Sequence, residues 1–229
     1  MRASLVTLLL ASCANVSSFQ TGRTLGKGEL AYGLGAEIGI VEEFEAVTGA
    51  DEDSARELDT GVPIPALAAW VRYGLADNID AGLRLFTVGL AGELKAQFAG
   101  DAVSPFSAAA GLSVSYFGFD VPDEEEDSQP PITFGSQLAI LDVTSALYLS
   151  YSLPDGWLTM YAAPKYISRS IVLGAEIEGT EDRALGLDLV GTGLGLNFGE
   201  DLSVYVEAGL FAPIGFDGLV LSLGVGVEI

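Results

Sequence analysis

Thirty-two carboxylates, ten basic side chains and no histidine define the chemistry this chain can attempt. A Ser-His-Asp triad cannot be built without an imidazole to carry the proton. Two carboxylates could in principle cut a glycosidic bond, but the acids concentrate in stretches that break every regular pattern, where carboxylates are ordinarily solvated. Those stretches are 41–61, with Glu42, Glu43, Glu45, Asp51, Glu52, Asp53, Glu57 and Asp59; 120–131, with Asp123-Glu124-Glu125-Glu126-Asp127; and 176–183. A calcium loop beginning at Asp51 would need glycine at its sixth position, and Arg56 stands there. What remains is loose binding of divalent cations by acidic loops, with no resident metal or other cofactor. Gly191-Thr192-Gly193-Leu194-Gly195 lacks the spacing and the following helix of a dinucleotide fingerprint. A net charge of −22 argues against nucleic acid as a partner. No enzymatic activity is expected.

The basic residues are more informative. Arg72, Arg84, Lys95, Lys165 and Arg169 each fall on the less apolar face of a stretch that alternates with period two, and so do Glu37, Glu93, Glu207 and Glu228. If the other face meets lipid, these charges must point inward, because a charge facing lipid at mid-bilayer costs ~2–4 kcal/mol. Gathered inside a barrel, both signs would either lock together as a salt-bridged filling or line a narrow charged path for small solutes.

The elements that would position them follow from the same alternation. Hydrophobic residues make up 49% of the 229 residues and mean hydropathy is +0.41, yet no apolar run approaches the ~20 residues of a spanning helix. Hydrophobicity spread over every second residue is the signature of a barrel wall. Alternation predicts strands near 30–40, 64–75, 79–88, 91–99, 106–119, 157–172, 185–198, 202–212 and 220–229, with a sixth ending at 147–153 whose start has mixed parity. A parity change near Gly191-Thr192-Gly193 predicts a β-bulge there. Long or charged connections follow strands one, five and seven, and tight turns follow strands two, six and eight. The fold class is thus all-β: an antiparallel up-and-down transmembrane β-barrel of about ten strands, with eight or twelve as alternatives. Eight strands are just filled by side chains, and wide aqueous pores need about 16.

The N-terminus has the shape of a secretory signal: Arg2, an apolar stretch from Leu5 to Ala11, then small residues. Leu10-Ala11-Ser12-Cys13 resembles the bacterial lipobox, in which the cysteine is acylated and becomes the mature N-terminus. Ala14 after it resembles outer-membrane sorting. The expected organisation is a signal peptide over 1–12, a lipidated N-terminus and polar tether over 13–27, and a barrel over 28–229.

Ser18-Phe-Gln-Thr-Gly-Arg-Thr-Leu-Gly-Lys-Gly28 before a glycine-alternating strand, and Tyr73-Gly-Leu-Ala-Asp-Asn-Ile-Asp-Ala-Gly-Leu-Arg84, resemble bacterial outer-membrane β-barrel proteins. The last strand resembles the signal read by the barrel-assembly machinery, with Ile229 where an aromatic is usual. The resemblance implies the outer membrane as location, and outer-membrane lipid and the assembly machinery as partners. It specifies fold rather than activity. The expected function is a structural or porin-like outer-membrane lipoprotein passing small solutes through a narrow charged lumen. The alternative is a soluble lipoprotein with a calycin-like barrel around an apolar ligand, in which the apolar faces would point inward.

Overall fold

The computed structural model describes residues 16–42, 64–87, 89–101, 103–119, 138–173, 184–199, 202–215 and 218–229. Ten strands form in chain order: β1 (Leu30–Glu42), β2 (Ile64–Ala76), β3 (Ile79–Phe86), β4 (Gly89–Ala99) and β5 (Phe106–Phe119). There follow β6 (Leu138–Ser152), β7 (Leu158–Leu173), β8 (Ala184–Phe198), β9 (Ser203–Pro213) and β10 (Leu219–Glu228). Each pairs antiparallel with its neighbours in sequence, and β1 also pairs with β10, so the sheet closes on itself. Closure leaves no edge strand with unpaired backbone groups, which a bilayer would not tolerate. Ile229 completes the seam, exchanging 3.0 Å backbone hydrogen bonds with Tyr32.

Side chains alternate as the sequence anticipates. Leu34 (68% exposed), Leu67, Leu83, Leu112, Leu194 and Leu223 (58% exposed) come from strands around the barrel and point outward. Arg72, Arg84, Lys95, Lys165, Arg169, Glu37 and Glu207 are buried inside. A soluble barrel would show the reverse. An apolar exterior around a charged interior is the arrangement of an outer-membrane β-barrel, with lipid against the outer wall. Tyr73 and Tyr151 project outward next to tight turns, where a boundary aromatic belongs.

The tight connections at 77–78, 100–105, 153–157 and 199–202 lie on one rim, where β1 also begins. Gly156, with φ 71°, supplies the left-handed residue of the Pro154-Asp155-Gly156 turn. The opposite rim joins β1 to β2, β5 to β6 and β7 to β8, and the three acidic stretches that make these joins lie outside the described residues, as does Cys13. The three longest joins therefore share one rim.

Two expectations are corrected. No bulge occurs at Gly191–Gly193: β8 keeps unbroken register with β7 and with β9. The apparent parity change arises because Leu187 and Leu189 point inward, onto an apolar cluster with Val16, Ile167, Phe211 and Val220. Register does shift at Gly74/Ala76 in β2 and at Gln97/Ala99 in β4. Residues 16–25 form no external tether either. They run inside the barrel, with Val16, Ser17, Ser18, Phe19, Gln20 and Gly22 buried. Ten strands enclose more space than eight, and here a length of the chain's own backbone fills it.

Candidate functional site

Alternation along β1, β3, β4, β7 and β9 aims Glu37, Arg84, Glu93, Lys95, Lys165 and Glu207 at the barrel axis. Most of what they grip is main chain. The Glu37 carboxylate accepts from the backbone N–H of Val16 (3.3 Å) and of Ser17 (3.1 and 3.2 Å). The Glu207 carboxylate accepts from the N–H of Ser18 (3.0 Å) and Phe19 (2.9 Å), from the Ser18 hydroxyl (3.3 Å) and from the Tyr161 hydroxyl (2.9 Å). Arg84 donates to the carbonyls of Ser17 (2.7 Å) and Ser18 (2.6 Å) and pairs with Glu93 at 3.0 Å. Lys165 donates to the Val16 carbonyl and lies 3.6 Å from Glu207. Lys95 donates to the Arg23 carbonyl at 2.7 Å, and Glu93 accepts from the Gln20 side-chain amide at 2.6 Å. Further down, the N–H groups of Gly22, Thr24 and Leu25 donate to Ser150 (3.1 Å), Gln97 (2.9 Å) and Asp80 (3.2 Å).

This pattern has a physical reason. An extended segment inside a barrel wall has no neighbouring strand for its N–H and C=O groups, and each would be costly to bury unpaired. Wall carboxylates and cations take the place of that strand. Hydrogen bonds to charged groups contribute about 1.5–3 kcal/mol each. Phe19 turns the segment with φ 49°, an uncommon conformation for an aromatic residue. That turn aims the N–H groups of Ser18 and Phe19 at one carboxylate, a small anion-binding nest.

The Phe19 ring is the segment's apolar anchor. It stacks on Trp70 with centroids 5.4 Å apart and meets Tyr205 edge-on at 6.5 Å. Glycines on the inward faces of β1 and β10 make the room. A Cβ at Gly35 would come within 2.8 Å of the Phe19 ring, and one at Gly224 within 2.7 Å. Gly35 pairs with Gly226, and Gly224 with Glu37, so the glycines floor a single recess.

Arg72 and Arg169 pair with acids of the wall. Arg72 donates to Glu228, its Nε at 3.1 Å, and sits 3.8 Å from Asp80. Glu228 also accepts from the Trp70 indole (2.7 Å) and the Tyr205 hydroxyl (3.1 Å). Arg169 makes a two-pronged contact with Asp142 at 2.8 and 2.7 Å. Asp80, Asp142 and the segment itself escaped the sequence reading. Asp142 sits in the stretch of mixed parity, and the glycine run of β10 against β1 was the sign that something approaches that wall closely.

Little space remains. Between Gln20, Arg72, Asp80, Glu93, Lys95 and Tyr148 the void is about 10 Å3, room for one water at most. At the tight-turn rim an open vestibule of about 790 Å3 is lined by Thr21, Arg23, Ser104, Tyr151, Thr159 and Asn197, among others. Among the described residues no group of histidine, cysteine and acidic side chains is arranged to hold a metal.

No family model matches the chain, and no curated protein does. Solved structures of bacterial outer-membrane barrels do. Outer membrane protease OmpT from Escherichia coli has a TM-score of 0.46 at 10% identity, covering 91% of this chain and 99% of that one. Ail, the attachment invasion locus protein of Yersinia pestis, in complex with the heparin analogue sucrose octasulfate, has a TM-score of 0.37 at 10% identity, covering 89% and 99%. The N-terminal β-barrel domain of Pseudomonas aeruginosa OprF has a TM-score of 0.29 at 12% identity, covering 90% and 100%. Likeness at this level says nothing of activity.

Proposed function

We propose that this protein is an outer-membrane barrel lipoprotein with a structural role, closed to solutes at rest by residues 16–25. One observation carries the reading: the charged lumen is occupied by the chain's own backbone, each of whose buried turns is held by wall side chains. A porin-like lumen would keep its charges for water and solute. Here six of the nine lumen charges anticipated from sequence are engaged by the segment, and the other three, Arg72, Arg169 and Glu228, have ionic partners in the wall. Small solutes would pass only if the segment withdrew.

Lipid on Cys13 is supported by Leu10-Ala11-Ser12-Cys13 directly after an apolar stretch. Labelled palmitate should enter the wild type and not Cys13→Ser. Insertion by the barrel-assembly machinery is supported by the strict alternation of β10. Divalent cations, if they bind, would use the acidic joins, which would then lie on the outer face.

Conductance tests the closed state. In a planar bilayer the wild-type barrel should show no steady current, and a chain lacking residues 16–25 should open small steps. A heat-modifiability gel confirms that both samples are folded. Steady wild-type current equal to that of the truncated barrel would contradict the proposal.

A further inference from the structure

The course of residues 16–28 through the barrel is one-directional. Gly28 donates to the Gly74 carbonyl at 2.8 Å, and the Thr24 hydroxyl reaches the Asp77 carbonyl in the turn between β2 and β3. Arg23 donates to the Ser104 carbonyl in the turn between β4 and β5 at 2.6 Å. All three contacts lie at the tight-turn rim. Going backward along the chain, Gly22 meets Ser150, Gln20 meets Glu93, and Phe19 meets Trp70 and Tyr205 midway. Val16 then packs among Leu189, Phe211 and Val220. Val220 is the second residue of β10, and Phe211 stands just before the end of β9. Val16 therefore lies towards the opposite rim, the one that carries the three acidic joins.

The clamps fix this direction. Glu37, just past the middle of β1, and Lys165, at the middle of β7, hold the N–H and C=O of Val16, and its side chain packs onto Phe211 and Val220 beyond them. Every hydrogen bond that Glu37 accepts among the described residues comes from Val16 and Ser17.

We propose that the barrel threads its own N-terminal chain through its lumen, so that whatever precedes Val16 emerges at the mouth of the acidic joins. β1 starts at one face of the membrane, and the chain before Val16 leaves at the other. Cys13 precedes Val16 by three residues, at most about 10 Å of chain. The apolar band of such barrels is about 25 Å tall, so Cys13 cannot return to the face where β1 begins. An acyl group on it would enter the leaflet next to the acidic joins, which is the outer one if those joins face outward. The inference rests on the spanning-barrel reading above, and the test separates the two.

Three single-cysteine additions are made in the full chain and exposed to a membrane-impermeant maleimide on intact and on permeabilised cells. Asp53→Cys reports the acidic rim, Asp155→Cys the tight-turn rim, and Asn15→Cys the emerging chain. The wild type, whose only cysteine is Cys13, gives the background. Threading predicts that Asn15→Cys labels on the same side as Asp53→Cys, and that Asp155→Cys labels only on the other. Labelling of Asn15→Cys together with Asp155→Cys would overturn the threading while leaving the barrel intact. Labelling of Asp53→Cys and Asp155→Cys from one side alone would overturn the spanning barrel, and the threading with it.

Discussion

Two charge clusters share one lumen and are completed in different ways. Arg169 with Asp142, and Arg72 with Glu228 and Asp80, form ion pairs between wall strands, Asp80 also accepting from Leu25 of the segment. Glu37, Glu207, Lys165 and Arg84 are completed by the backbone of residues 16–19. In sequence both sets look alike, a charge at an inward position of an alternating strand. The difference lies in what each would face without the N-terminal segment. The wall pairs would keep their partners. Glu37 would lose both of its donors among the described residues and would have only the water entering the emptied lumen in their place. The clamp cluster is thus a receptor for an extended main chain, and the wall pairs are a brace.

Removing one member of each cluster gives the sharpest contrast. Glu207→Ala and Arg169→Ala each break a buried ionic contact, and each should lower stability to urea by about 3–5 kcal/mol. Only Glu207→Ala should also free the segment, seen as faster hydrogen exchange at Ser18 and Phe19. Equal loss of protection in both variants would erase the distinction. Neighbouring positions on β10 give the next contrast. Val225→Arg places a charge against lipid and should cost ~2–4 kcal/mol near the midplane, with the segment undisturbed. Gly224→Ala should cost less, about 1–3 kcal/mol of overpacking, but it acts on the Phe19 ring 2.7 Å from the new Cβ. Altered tryptophan emission, through Trp70, is expected for Gly224→Ala and not for Val225→Arg. The reverse pattern would mean that the two faces of β10 are exchanged.

The wall was legible because a bilayer imposes period two on every strand. Leu30, Tyr32, Leu34 and Ile38 against Gly33, Gly35 and Glu37 leave one choice of outward face. The inward charges followed from the same rule. β8 misled because Leu187 and Leu189 are apolar yet inward, serving an internal apolar contact rather than lipid. Asp142 was missed because alternation fades where β6 begins. The segment was the least legible part. It has no period, since its backbone is held by groups scattered over β1, β3, β4, β6, β7 and β9, from Glu37 to Glu207. Its polar residues read as a tether because a chain bound through its main chain shows little in its side chains beyond one aromatic, Phe19.

Amide hydrogen exchange of the wild-type barrel in lipid tests the central claim most directly. The N–H groups of Ser17, Ser18 and Phe19 should exchange as slowly as those of the wall strands, because buried carboxylates hold them inside the lumen. Exchange at those three residues as fast as at the exposed Lys27 would show that the segment lies outside the barrel, and the account of the lumen would be wrong.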